Sequence, residues 1–146
     1  MFIDDHVLRR EIRIAARPET VFGFFVEPAK MVRWKGLRAS MDPRPGGVYR
    51  VHINARDVAA GEYVEVKPYE RVVFTWGWEG GPLPPGASTV AVTLSPAGDG
   101  TLLRLEHSGL PDPEQYQRQG AGWDHYLPRL ALADAGQDPG SDPWAG

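Results

Sequence analysis

The chain has 146 residues, a formal charge of −3 and no cysteine, which fits one domain with an ordinary core and excludes disulfides and thiolate metal sites. Its basic residues form no run able to neutralise a phosphate backbone, so no nucleic-acid partner is expected. No apolar run reaches the roughly 20 residues that span a bilayer, and Met1-Phe2-Ile3-Asp4-Asp5-His6 lacks the basic start of a signal peptide; a cytoplasmic protein with no membrane partner is expected.

Residues 7–17 set Glu11, Arg13 and Ala15 against Ile12, Ile14 and Ala16, the alternation of a half-buried strand that Pro18 ends. Pro18-Glu19-Thr20 then reads as a first helical turn, with proline where a missing N–H is harmless and an acid at the positive end of the dipole. Val21, Phe22, Phe24, Phe25 and Val26 are too apolar for a surface helix, so this short helix is buried on more than one side. Pro28 opens a second short helix through Met31 and Trp34, and Gly36 closes it. A short strand is expected at 37–41, a tight connection at Asp42-Pro43-Arg44-Pro45-Gly46-Gly47, and a strand at 48–54 that sets Tyr49, Val51 and Ile53 against Arg50, His52 and Asn54. The next strand, 58–67, is expected to carry a bulge at Gly61.

Residues 70–79, bounded by Pro68 and by Gly80-Gly81-Pro82, form the central strand. Its alternation aligns Val72, Phe74, Trp76 and Trp78 on one face and Val73, Thr75 and Gly77 on the other. A row of rings this large needs a covering surface. Residues 80–87, rich in proline, are expected to form a mobile loop. Two further strands, 88–95 and 101–108, flank a hairpin connection at 96–100, and the second points Leu103, Leu105 and His107 inward. Asp112 is a good N-cap and Pro113 a good first residue for a long helix over 113–135. Tyr116, Gly120, Trp123, Leu127 and Leu130 make one stripe on it. Gly120, Gly122 and Pro128 weaken it, with a kink expected near Asp124. Residues 137–146 read as a flexible tail after a domain of residues 1–136.

The order is α+β: one strand, two short helices, further antiparallel strands, then one long helix. In Pro18-Glu19-Thr20-Val21-Phe22, Trp34, Asp42-Pro43-Arg44-Pro45-Gly46-Gly47, Gly61-Glu62-Tyr63-Val64-Glu65-Val66 and Glu70-Arg71-Val72-Val73-Phe74-Thr75-Trp76 the chain resembles the START-like (SRPBCC, helix-grip) superfamily. The likeness continues through Thr101, Leu103, Leu105, His107-Ser108-Gly109-Leu110 and Gly122-Trp123, Leu127, Leu130, and as a whole it is to the branch named after the C-terminal domain of the activator of the Hsp90 ATPase (AHSA1-like). The resemblance implies a helix-grip fold: a curved antiparallel sheet of six to seven strands wrapped around the long C-terminal helix, with two short helices after the first strand. It also implies an apolar cavity between sheet and helix. The family often has a second aromatic and a proline after the tryptophan; here Lys35-Gly36 follow Trp34, which bears on the pocket mouth.

The residues expected at a ligand are Phe25, Trp34, Tyr49, Phe74, Trp76, Trp78, His107, Trp123, Tyr126 and Leu127. The leading reading is a cavity for a small apolar or aromatic molecule. A cyclase- or dehydratase-type enzyme would use His107 and a tyrosine or acid as its acid–base pair in the same cavity. A protein-interaction module would show an exposed patch around Trp34 and the 80–87 loop. His107 itself has two readings: a ligand-facing group, or a structural histidine bonded to a backbone carbonyl or a helix residue. Its mate would be Tyr49, Tyr126 or Asp124. His6, His52, His107 and His125 have no metal-ligand spacing, so no metal or other cofactor is expected. A homodimer is left open.

Overall fold

Alternating side chains build β1 (Leu8–Ile14), and Pro18 then starts α1 (Pro18–Val26) at its first turn. The computed structural model describes residues 7–145; the leader reading and His6 concern residues outside that range. α2 (Pro28–Met31) follows, then β2 (Arg38–Met41), β3 (Val48–His52), β4 (Val58–Lys67), β5 (Arg71–Trp78), β6 (Ser88–Ala97), β7 (Gly100–Ser108) and α3 (Pro113–Asp134). The strands form one curved antiparallel sheet in the order β1-β7-β6-β5-β4-β3-β2. The chain is thus α+β with two short helices after the first strand and one long helix at the end, as the alternation and the capping residues foretell.

Burial follows the expected faces. Val72, Phe74 and Trp76 on β5, Val90, Val92 and Leu94 on β6, and Leu103, Leu105 and His107 on β7 all lie in the core. The carbonyls at the end of α1 are capped by side chains: Trp34 Nε1 donates to Phe24 O at 3.2 Å and Tyr63 Oη to Phe25 O at 2.8 Å. Those two bonds tie α1 to the segment after α2 and to β4. α3 begins as expected, with the Asp112 carboxylate accepting from Gln115 N at 2.8 Å. Arg10 on β1 grips Asp124 with two donors, at 2.6 and 3.2 Å, and so sets the rotation of α3 against the sheet edge.

Three local readings change. The pairing irregularity in β4 falls between Tyr63 and Glu65 rather than at Gly61. Gly61 is required for another reason: a Cβ there would stand 1.8 Å from Thr75 O, so β5 passes too close for any side chain. The loop after β5 is pinned, since Trp78 N donates to Leu83 O at 2.6 Å and Leu83 is 1% exposed. The segment after α3 also has partners that a polar Pro/Gly-rich composition did not reveal. Arg129 donates to Trp34 O, Pro139 O and Gly140 O, and Trp144 stacks on His125 with centroids 4.1 Å apart.

Candidate functional site

Gly36 turns the chain at a positive φ of 86°, where a Cβ would meet Val51 and the His52 carbonyl. This turn, with α2 before it, directs Lys35 into the interior instead of into solvent. Lys35 is 5% exposed. Its Nζ lies 4.4 Å from the Trp123 ring centre, 5.2 Å from Tyr126, 5.7 Å from Trp76 and 5.9 Å from Trp34. Four rings from the α2–β2 connection, β5 and α3 therefore surround one amine. Burial brings its pKa down to about 7, against the opposing pull of the Asp142 carboxylate.

Lys35 lines a cavity of about 470 Å³ between β5, the loop after it and α3. Trp76, Trp78, Trp123 and Tyr126 make the apolar wall, and Trp144 adds a ring from the segment after α3. The mouth carries Arg56, Asp57, Glu79 and Arg118. Gly122 leaves the α3 side open, because a Cβ built there meets nothing within 4 Å. Trp76 contributes a buried Nε1–H that has no acceptor. Such orphaned donors are rare in folded proteins.

Of the ten residues expected at a ligand, Trp76, Trp78, Trp123 and Tyr126 line this cavity. Phe25, Trp34, Tyr49, Phe74 and Leu127 belong to the hydrophobic core, and His107 is buried; none of the six lines the cavity. Tyr49 stacks on Phe74 with centroids 4.1 Å apart, so both rings fill space that a ligand would need. Sequence reasoning missed Lys35, the charged mouth and Trp144. The signal for Lys35 was its position directly after Trp34, in the place where an aromatic is usual.

His107 is fully satisfied inside the core. Trp123 Nε1 donates to its Nδ1 at 3.1 Å, which leaves Nε2 to donate to Ser88 Oγ at 2.8 Å, and Ser88 passes its own proton to Trp76 O at 2.6 Å. Its partners are Ser88 and a helix residue, not Tyr49, Tyr126 or Asp124. Burial, with the Lys35 charge adding to it, lowers its pKa to about 3. A second proton would also face the Trp123 N–H head-on, so the ring stays neutral and positions Trp123. Asp124 is taken by Arg10.

Asp142 gathers three donors: Tyr126 Oη at 2.7 Å, His125 Nε2 at 2.8 Å and Trp144 N at 2.9 Å. Burial pushes its carboxyl up, and these bonds more than offset that, so it stays an anion facing the Lys35 cage. Among the described residues no three histidine, aspartate or glutamate side chains are grouped as metal ligands. No described helix is long and apolar enough to cross a membrane.

Comparison with known proteins places this geometry in a family. A solved AHSA1-like protein from Rhizobium etli is 45% identical, over 96% of this chain and 88% of its own, with a TM-score of 0.75. DynU16, described as a putative protein in the dynemicin biosynthetic locus, is 26% identical over 96% of this chain and 51% of its own, with a TM-score of 0.79. An uncharacterised protein of Schizosaccharomyces pombe is 26% identical over 108 residues; the match covers 73% of this chain but only 31% of that relative. The model of the family described as activator of Hsp90 ATPase homolog 1-like protein matches residues 15–133. That match takes in six of the seven strands and nearly all of α3, so the chain belongs to the activator of Hsp90 ATPase homolog 1-like family.

Proposed function

We propose that the chain binds a small molecule with an apolar or aromatic body and an oxygen-bearing end, held between β5 and α3. The observation that carries this is Lys35 Nζ among four aromatic rings on the wall of a 470 Å³ cavity. Rings supply flat, rigid contact area, and one well-placed polar group in an apolar pocket fixes the orientation of what enters. The orphaned Trp76 N–H supports the same reading, since an acceptor in the cavity would satisfy it. The charged mouth formed by Arg56, Asp57, Glu79 and Arg118 keeps the entrance hydrated.

The enzyme reading built on His107 loses its base, because both ring nitrogens are engaged and neither lines the cavity. Trp34 is 1% exposed, which removes it from any docking patch.

The test is titration of 2-naphthylmethanol and 2-naphthoate, followed by tryptophan fluorescence and thermal shift, on the parent chain and Gly122→Phe. Saturable binding by the parent, weakened at least tenfold in the variant with its fold retained, is expected. No saturable binding by either compound, or equal binding by both proteins, removes the proposal.

A further inference from the structure

We propose that Lys35 captures aldehydes and ketones covalently, forming an imine with a carbonyl compound seated in the aromatic cavity. The inference rests on the binding reading above and names the chemistry of its polar end. Three geometric observations carry it. The amine lines the cavity, so a ligand carbonyl carbon entering along the tryptophan wall meets it. Among the described residues it has no carboxylate within ion-pairing distance, whereas Lys30 pairs with Glu27 at 3.2 Å and Lys67 with Glu70 at 3.5 Å. Its surroundings are four rings, the kind of desolvated apolar setting that leaves a lysine amine unprotonated and nucleophilic. Burial acts in the same direction, holding the pKa at about 7.

The step needs no oxidant or reductant. The Nζ lone pair forms a bond to the carbonyl carbon, the carbonyl oxygen takes a proton, and a carbinolamine results. Loss of its hydroxyl as water, with departure of the second amine hydrogen as a proton, gives C=N; the balance is amine plus carbonyl to imine plus water. A protonated imine remains a cation inside the same ring cage, where aromatic faces favour it, and Asp142 is the nearby anion that balances its charge.

The chain suits the test because its only lysines are Lys30, Lys35 and Lys67. The full chain is incubated at neutral pH with 2-naphthaldehyde and sodium cyanoborohydride, then mapped by peptide mass spectrometry. The expected result is a reduced naphthylmethyl adduct at Lys35 at least tenfold faster than at Lys30 or Lys67, and faster than at the terminal amine. Lys35→Arg and Lys35→Met should both lose that adduct while each keeps a cooperative urea unfolding transition. Labelling of Lys35 no faster than of Lys30 or Lys67 overturns the inference. If 2-naphthylmethanol binds the parent saturably while Lys35 stays unlabelled, imine formation fails and the binding reading stands. If neither the alcohol nor the aldehyde engages the cavity, both fail.

Discussion

Lys35 Nζ sits 4.4 Å from the centre of the Trp123 ring, and the Trp123 indole N–H in turn donates to His107 Nδ1. The amine is therefore held by a ring whose own orientation is fixed from the sheet side. A cation over an aromatic face gains roughly 0.5–2 kcal/mol, while removing an ammonium from water costs several kcal/mol even after relaxation. Desolvation wins, and the amine is close to half-protonated near neutrality.

Replacing Lys35 with methionine should stabilise the protein at and below neutral pH. The folded pKa of about 7 lies under the 10.5 of a free lysine, so between them the unfolded chain holds a proton that the folded chain lacks. Stability from this group rises across that window, and its penalty is fully present below it. The facing groups act elsewhere: His107 titrates at about 3, and Asp142 is held below the usual carboxylate range. Urea unfolding should show Lys35→Met ahead by a few kcal/mol near pH 6 and level with the parent above about pH 10. A constant gap across pH would contradict the buried-amine assignment.

His107→Ala should destabilise by about 3 kcal/mol, because it strands the Trp123 N–H and opens a void beside it. Affinity for 2-naphthylmethanol should change by less than about threefold, or 0.7 kcal/mol. Unfolding and fluorescence titration on one sample separate the two effects. Intact stability with lost affinity would make the imidazole a ligand contact.

At the end of α3 the Asp134 carboxylate oxygens are buried with no hydrogen-bond partner, and burial raises the pKa to about 7 despite the charges of Arg33 and Lys30. Here the folded chain holds a proton that the unfolded chain has released, so stability declines as pH climbs from 3.8, the pKa of a free aspartate, to about 7. Asp134→Leu should gain about 1–3 kcal/mol at neutral pH and less near pH 4. Melting temperatures at both pH values check the sign.

Two glycines should respond oppositely to alanine. Gly122→Ala meets open space and should stabilise α3 by about 1 kcal/mol. Gly61→Ala drives a methyl into the Thr75 carbonyl and should destabilise by about 3 kcal/mol or more. Equal melting temperatures for the pair would count against the close strand approach.

Much of this architecture was legible in period-two alternation and in proline and glycine punctuation. The inward faces of β5, β6 and β7 and the Asp112–Pro113 helix entry follow from local chemistry alone. Lys35 was not legible, because local patterning assigns a lone lysine to solvent; only the tertiary turn at Gly36 aims it inward. Tyr49 and Phe74 read as pocket walls because alternation gives the face but not what fills the space above it. Trp144 was unreadable for a different reason: it stacks on His125, and the segment leading to it is held by Arg129 bonds to the carbonyls of Pro139 and Gly140, which leave no trace in composition.

The clasp that Arg129 makes on residues 139 and 140 reaches beyond local order. It seats Asp142, a carboxylate that opposes the effect of burial on the interior ammonium, and brings Trp144 to the cavity. The basicity of a lysine near the middle of the fold is thus tuned by the last ten residues of the chain. Without Asp142, burial would act on Lys35 unopposed and its pKa would fall further, with the sheet unchanged.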